Sequence, residues 1–162
     1  MTLFQHCVLC KTKTPGVVRE CGTAIYINQT CTSCGHVRKW ESQPKIGTIA
    51  AGNLLLSAAI LASGSLPTKS LRMLKIMGVA TIHRNTFFRH QKAHLEPAVN
   101  QVYHDHQSGI IASLKEMGSP LVLTGDGRCD SPGHSAKFGT FSVIEQRLNK
   151  VLHVEIVQVQ YV

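Results

Sequence analysis

Cys7-Val-Leu-Cys10 and Cys31-Thr-Ser-Cys34-Gly35 are the two stretches on which the reading of this chain turns. A Cys-x-x-Cys turn presents two thiolates from one tight knuckle, and two such knuckles supply the four tetrahedral ligands that zinc prefers. Gly35 suits the left-handed backbone position that follows such a turn. Between the pairs, Thr23-Ala-Ile-Tyr-Ile27 has the residue types of a β-strand, so residues 1–45 are expected to form a small zinc ribbon. Two disulfides are the competing use of these cysteines. His6 and His36 stand next to the knuckles and compete for a ligand position; Cys21 is expected to be a spare thiol or a small core residue, and Cys129 a loop thiol.

Composition narrows the setting. The 162 residues are 43% hydrophobic and 16% charged, which is globular and not disordered. Seventeen Lys and Arg face nine acidic residues, for a net charge of +8. That balance favours a polyanionic partner, nucleic acid before an anionic membrane. Met1-Thr-Leu-Phe-Gln-His6 has no basic stretch followed by an apolar run, so no signal peptide is expected and a reducing, intracellular setting follows.

Three segments are expected: the ribbon at 1–45, a helical region at 46–117 and a strand region at 118–162. Breaks fall at Gln43-Pro44 and Gly118-Ser-Pro120. From Ile46 to Thr68 there is no charged residue, which raises a single-pass membrane span over 46–66 as an alternative. Gly52, Asn53, Ser57, Ser63, Gly64 and Ser65 interrupt that run, and a buried core helix is the preferred reading.

After Gly64-Ser-Leu-Pro67, Thr68 can cap a helix with Leu71, Leu74 and Met77 on one face and Lys69, Arg72 and Lys75 on another. Gly78-Val79 turns the chain into Thr81–His94, which carries Arg84, Arg89 and Lys92. Helix, glycine-containing turn and basic helix together make a helix-turn-helix pattern, with these six cations as candidate DNA contacts. Phe87 and Phe88 are core candidates, and His104-Asp105-His106 reads as an exposed polar face, since alternate residues on a helix do not converge.

In the last segment, Leu121–Gly127 reads as an apolar strand that delivers Asp126 between two glycines. Lys137–Ile144 and Val151–Val159 alternate and are joined by Gln146–Lys150 as a hairpin. Asp126 is the candidate metal-binding carboxylate, and Asp130 a weaker one whose competing role is to form a turn.

Gly125–Phe141 followed by Lys150–Val157 resembles the start of the catalytic domain in animal transposase-derived proteins of the cut-and-paste type. The likeness runs along nearly the whole chain: cysteine-rich head, helical segment, then a ribonuclease-H-like domain with an Asp-Asp-Glu set. It implies an α+β chain whose last part holds strands one to three of that domain. It also implies nuclear localisation and DNA as partner, with an oligomer left open and no small-molecule substrate. Asp126 takes the place of the first carboxylate, while the later Asp and Glu lie beyond Val162. Mg2+ or Mn2+ would enter only with a complete catalytic domain, so this chain is expected to bind DNA without strand-transfer activity of its own. A zinc-ribbon module that binds another protein is the remaining alternative.

Overall fold

The structure is a computed structural model, and it describes residues 2–131 and 136–158. It is α+β with antiparallel sheets, and the chain divides into two compact units, Met1–Pro97 and Ala98–Val162.

In the first unit, β1 (Val17–Cys21), β2 (Ala24–Thr30) and β3 (Val37–Glu41) form an antiparallel sheet in the order β1-β2-β3. Strand β2 alternates as its sequence suggests: Ile27 and Gln29 are buried while Asn28 and Thr30 are exposed. Phe4 packs against Trp40 at 5.4 Å between ring centroids, and Arg38 lies over the Phe4 ring. Trp40 therefore belongs to the small module's own packing.

The uncharged run does not begin as a helix. Lys45–Ile46 (β4) and Ile49–Ala50 (β5) pair as a two-residue hairpin, with Gly47 at φ +60° in its turn. Helix α1 occupies only Ala51–Ala62, 12 residues, about 18 Å long against a hydrocarbon core of about 30 Å. Among the described residues no helix is long and apolar enough to cross a membrane.

Helix α2 is Pro67–Ile76, with Leu66 as its N-cap and Pro67 at the first helical position. Thr68 thus lies inside the helix and does not cap it, because proline's fixed φ and missing N–H fit the opening turn better. Met77 is 66% exposed and does not join Leu71 in the core. Residues 77–83 form the connection, longer than the three or four residues of a usual helix-turn-helix. Helix α3 starts at Arg84 and not at Thr81, since the His83 ring accepts the Asn85 N–H through Nδ1 and fixes the start there. It runs to His90, is followed by a π-helical segment, Gln91–Leu95, and then by α4, Glu96–Met117. Ile60, Leu71, Ile82 and Phe87 make the buried core of this region, with Leu56 against it.

The β1–β3 module is fastened to α1 by two side chains. Asn53 Oδ1 accepts from Thr23 N (2.7 Å) and Thr23 Oγ1 (2.8 Å), and its Nδ2 donates to Cys21 O (3.0 Å). Gln43 Nε2 donates to Thr23 O, and Gln43 Oε1 accepts from Gly52 N. The contact is close because Gly22, at φ +63°, has no Cβ: one placed there would lie 2.4 Å from Asn53 Oδ1.

In the second unit β6 (Leu123–Cys129), β7 (Phe138–Glu145) and β8 (Lys150–Gln158) form an antiparallel sheet in chain order, the hairpin expected between 145 and 150 included. Val159 lies outside the described residues. The β7–β8 turn is organised by Glu145, whose carboxylate is fully buried. It accepts from Leu148 N (3.0 Å), Arg147 Nε (2.7 Å) and Val122 N (3.3 Å). The Leu148 amide first, then Arg147 and the Val122 amide, outweigh burial and hold the pKa down to about 2. Helix α4 meets this sheet through Tyr103 and Gln107, whose side chains bond Val154 N and Leu152 O. His104, Asp105 and His106 are exposed, as the helical spacing implies.

Candidate metal centre

The two knuckles have the same backbone plan. Lys11 N donates to Cys7 O and Gly35 N to Cys31 O, while Cys7 N donates to Thr12 O and Cys31 N to His36 O. The residue after each second cysteine is left-handed: Gly35 at φ +72° and Lys11 at φ 62°. Glycine takes that conformation freely, whereas Lys11 takes it at a cost because the knuckle requires it.

These turns bring the four sulfurs together. Cys7, Cys10, Cys31 and Cys34 have their Sγ atoms all within 4.8 Å of one another, with Cys7–Cys34 at 3.6 Å and Cys10–Cys31 at 3.5 Å. A disulfide would be about 2.05 Å, so the thiols are unlinked. A tetrahedron with metal–sulfur bonds of about 2.3 Å has edges of about 3.8 Å, close to what the thiols already form. The cluster could therefore bind a metal ion with little rearrangement. His6 and His36 are not part of it, and neither are Cys21, which is exposed and not a core residue, and Cys129, which is exposed at the end of strand β6 and not in a loop.

The surroundings prepare the cysteines unequally. Cys7 and Cys31 are buried, Cys10 and Cys34 exposed. The Cys34 amide and then the Thr14 hydroxyl, 3.6 Å away, bring Cys31 down to about 6. The Thr12 hydroxyl lowers Cys10. At Cys34 the His36 amide pulls downward, but Cys10, burial and Cys7 together prevail and push the thiol up to about 12. Packed this closely, some thiols ionise at the expense of others until a cation compensates their charge. Gln29 braces the knuckle from the sheet, its Nε2 donating to Thr14 O and His6 O.

The carboxylates are arranged differently. Asp126 is exposed on β6, paired with Ser142. The glycine before it has a local reason, since a Cβ at Gly125 would lie 2.5 Å from the Phe141 ring. Asp130 acts in the β6–β7 turn: its N–H donates to Phe138 O, and its Oδ1 accepts from Lys137 N. Residues 132–135 of that turn lie outside the described residues. Among the described residues, neither Asp126 nor Asp130 belongs to a group of three or more metal-ligating side chains.

Lys69, Arg72, Lys75, Arg84, Arg89 and Lys92 are all exposed, and none forms an ion pair among the described residues. Arg72, Lys75 and Arg84 line one concavity of about 440 Å³ between α2 and the 79–84 stretch. Arg84 also lies over the ring of Phe88, which is 44% exposed, in contrast to the fully buried Phe87.

Asn53, Gln43 and Glu145 were not recognisable as organising residues in the sequence. Compared with protein-family models, curated proteins and solved structures, the chain matches none of them.

Proposed function

We propose that this protein is a zinc-stabilised DNA-binding protein, with one Zn2+ held by Cys7, Cys10, Cys31 and Cys34 and the duplex contacted by α2 and α3. The four-thiolate set favours zinc over harder cations, and it rigidifies a ribbon too small to be stable by apolar burial alone. The observation that carries the DNA reading is the set of six exposed, unpaired cations on α2, α3 and the segment after α3. Cations without carboxylate neighbours are available to replace the counterions of a phosphate backbone. The resemblance to transposase-derived proteins supports the same reading, with Asp126 as the first carboxylate of a ribonuclease-H-like sheet.

The test is duplex binding by the zinc-loaded chain as a function of salt. Six phosphate contacts predict a slope of log K against log[salt] of about −5. Reversing Arg84, Arg89 and Lys92 to Glu should abolish binding at moderate salt. Binding that ignores salt, or survives the triple reversal, would reject the reading. The exposed apolar residues of the ribbon, Leu9, Val17 and Val37, would in that case favour a protein partner.

A further inference from the structure

A second concavity, about 680 Å³, lies within the Met1–Pro97 unit where the β1–β2 turn, the β4–β5 hairpin, α1 and α3 meet. Its walls include Thr48, Thr81, Thr86, Arg89, His90 and His94, and no carboxylate lines it. Arg89 makes no ion pair among the described residues, so its charge is not cancelled by a neighbouring acid.

Three observations mark this as more than a gap between elements. Among the described residues the Thr81 hydroxyl is buried with no hydrogen-bond partner, a state that native side chains rarely adopt without a ligand or water to meet them. The helical hydrogen bonding changes to the π form over Gln91–Leu95, which brings Ala93 and His94 to the cavity wall. Such segments are rare and concentrate at functional sites. Third, His90 is held in one tautomer. The Ser57 hydroxyl donates to Asn53 O (3.1 Å), so the 2.9 Å contact between Ser57 Oγ and His90 Nδ1 is donated by the imidazole. Nε2 is left as the ring's acceptor. Burial first, and Arg89 next, lower the pKa of His90 and so favour the neutral ring.

Hydroxyl donors, a free guanidinium and no acid select an anion with several acceptor oxygens. The volume exceeds that of a bare phosphate and falls in the range of small-molecule sites. We propose that this cavity binds a phosphate monoester on a nucleotide-sized group, with Arg89 and the Thr81 hydroxyl on the phosphate oxygens and His90 Nε2 accepting from the attached group. That chemistry is offered both by a free mononucleotide and by the 5′-phosphorylated end of a nucleic-acid strand. It goes beyond duplex binding, which needs only cations on an exposed face.

The experiment uses the full, zinc-loaded chain and four probes: adenosine 5′-monophosphate, adenosine, and one short single strand with and without a 5′-phosphate. Affinities come from calorimetry, and backbone amide resonances report the location. At least one phosphorylated probe should bind ten-fold or more tightly than its unphosphorylated counterpart, shifting the Thr81 and His90 resonances. Which probe does so identifies the source. Thr81→Val should cut the advantage several-fold and Thr81→Ser should retain it. Phosphorylated and unphosphorylated probes binding alike overturns the proposal on the wild-type chain alone, as does a phosphate preference untouched by both Thr81→Val and Arg89→Gln. Duplex DNA with 5′-hydroxyl ends separates the two readings, since its binding should not respond to Thr81→Val.

Discussion

Replacing Asn53 by Ala should loosen the β1–β3 module from α1 and leave the sulfur cluster intact. Asn53 is 7% exposed and makes three hydrogen bonds, two through Oδ1 and one through Nδ2. Each contributes about 1 kcal/mol net, and leaving Thr23 N or Cys21 O without a partner in a partly buried place adds to the loss, so about 3 to 4 kcal/mol is expected. That is a large part of the about 5–15 kcal/mol available to a domain. A coupled variant sharpens the test. Gly22→Ala in the wild-type chain adds a Cβ 2.4 Å from Asn53 Oδ1 on top of an unfavourable φ of +63°. In the Asn53→Ala background the clash is gone and only the φ cost of about 1 kcal/mol should remain, so the two changes should be strongly non-additive. Urea unfolding of the metal-loaded chain can be read by Trp40, the single tryptophan, for the β1–β3 module, and by far-ultraviolet circular dichroism for the helices. In Asn53→Ala the two transitions should separate. A loss below about 1 kcal/mol, or additive behaviour of the pair, would refute the clamp.

Further expectations concern single residues. Lys11→Gly should stabilise the metal-loaded cysteine module by up to about 1 kcal/mol, because glycine takes φ 62° without strain; thermal unfolding checks it, and destabilisation would contradict the strain argument. Glu145 has its folded pKa at about 2, below the usual 4.5, so its stabilisation is complete above about pH 4.5 and is lost as pH falls towards 2. Glu145→Gln should remove that part of the acid dependence, measured as the midpoint of urea unfolding at pH 6 and pH 3. His90 has a lowered folded pKa, so its contribution is complete above the unfolded value of about 6.5 and falls as pH drops below it. His90→Gln should flatten the stability profile between pH 7 and 5, and an unchanged profile would place the titration elsewhere.

The parts legible in the sequence are those fixed by short-range chemistry. Two Cys-x-x-Cys turns and Gly35 announce the knuckles because the ligand spacing is local, and the β7–β8 hairpin shows in its alternating flanks. Ile46 and Ile49–Ala50 were not legible as a hairpin, since strands of two residues carry no periodicity and an apolar run serves helix and strand alike. Asn53 read only as an interruption of that run, and its role depends on Thr23, which is thirty residues away. Glu145 likewise draws its burial from Val122 and the turn that follows it. The π-helical segment has no sequence signature, and with it the cavity around His90 and His94 was hidden. Asp126 was legible as a carboxylate on a strand, while the Phe141 ring packed over Gly125 was not, because that contact crosses from β6 to β7.

The most direct test of the account is metal stoichiometry and ligand identity under reducing conditions. Native mass spectrometry should find one Zn2+ per chain, and Co2+ substitution should give the sulfur-to-metal absorption of a tetrahedral four-thiolate site. Ser in place of Cys7, Cys10, Cys31 or Cys34 should weaken binding and lower the stability of the cysteine module, while Cys21→Ser and Cys129→Ser should change neither. A chain that takes up no metal, or whose metal is held by Cys21, Cys129, His6 or His36 in place of these four thiols, would contradict it.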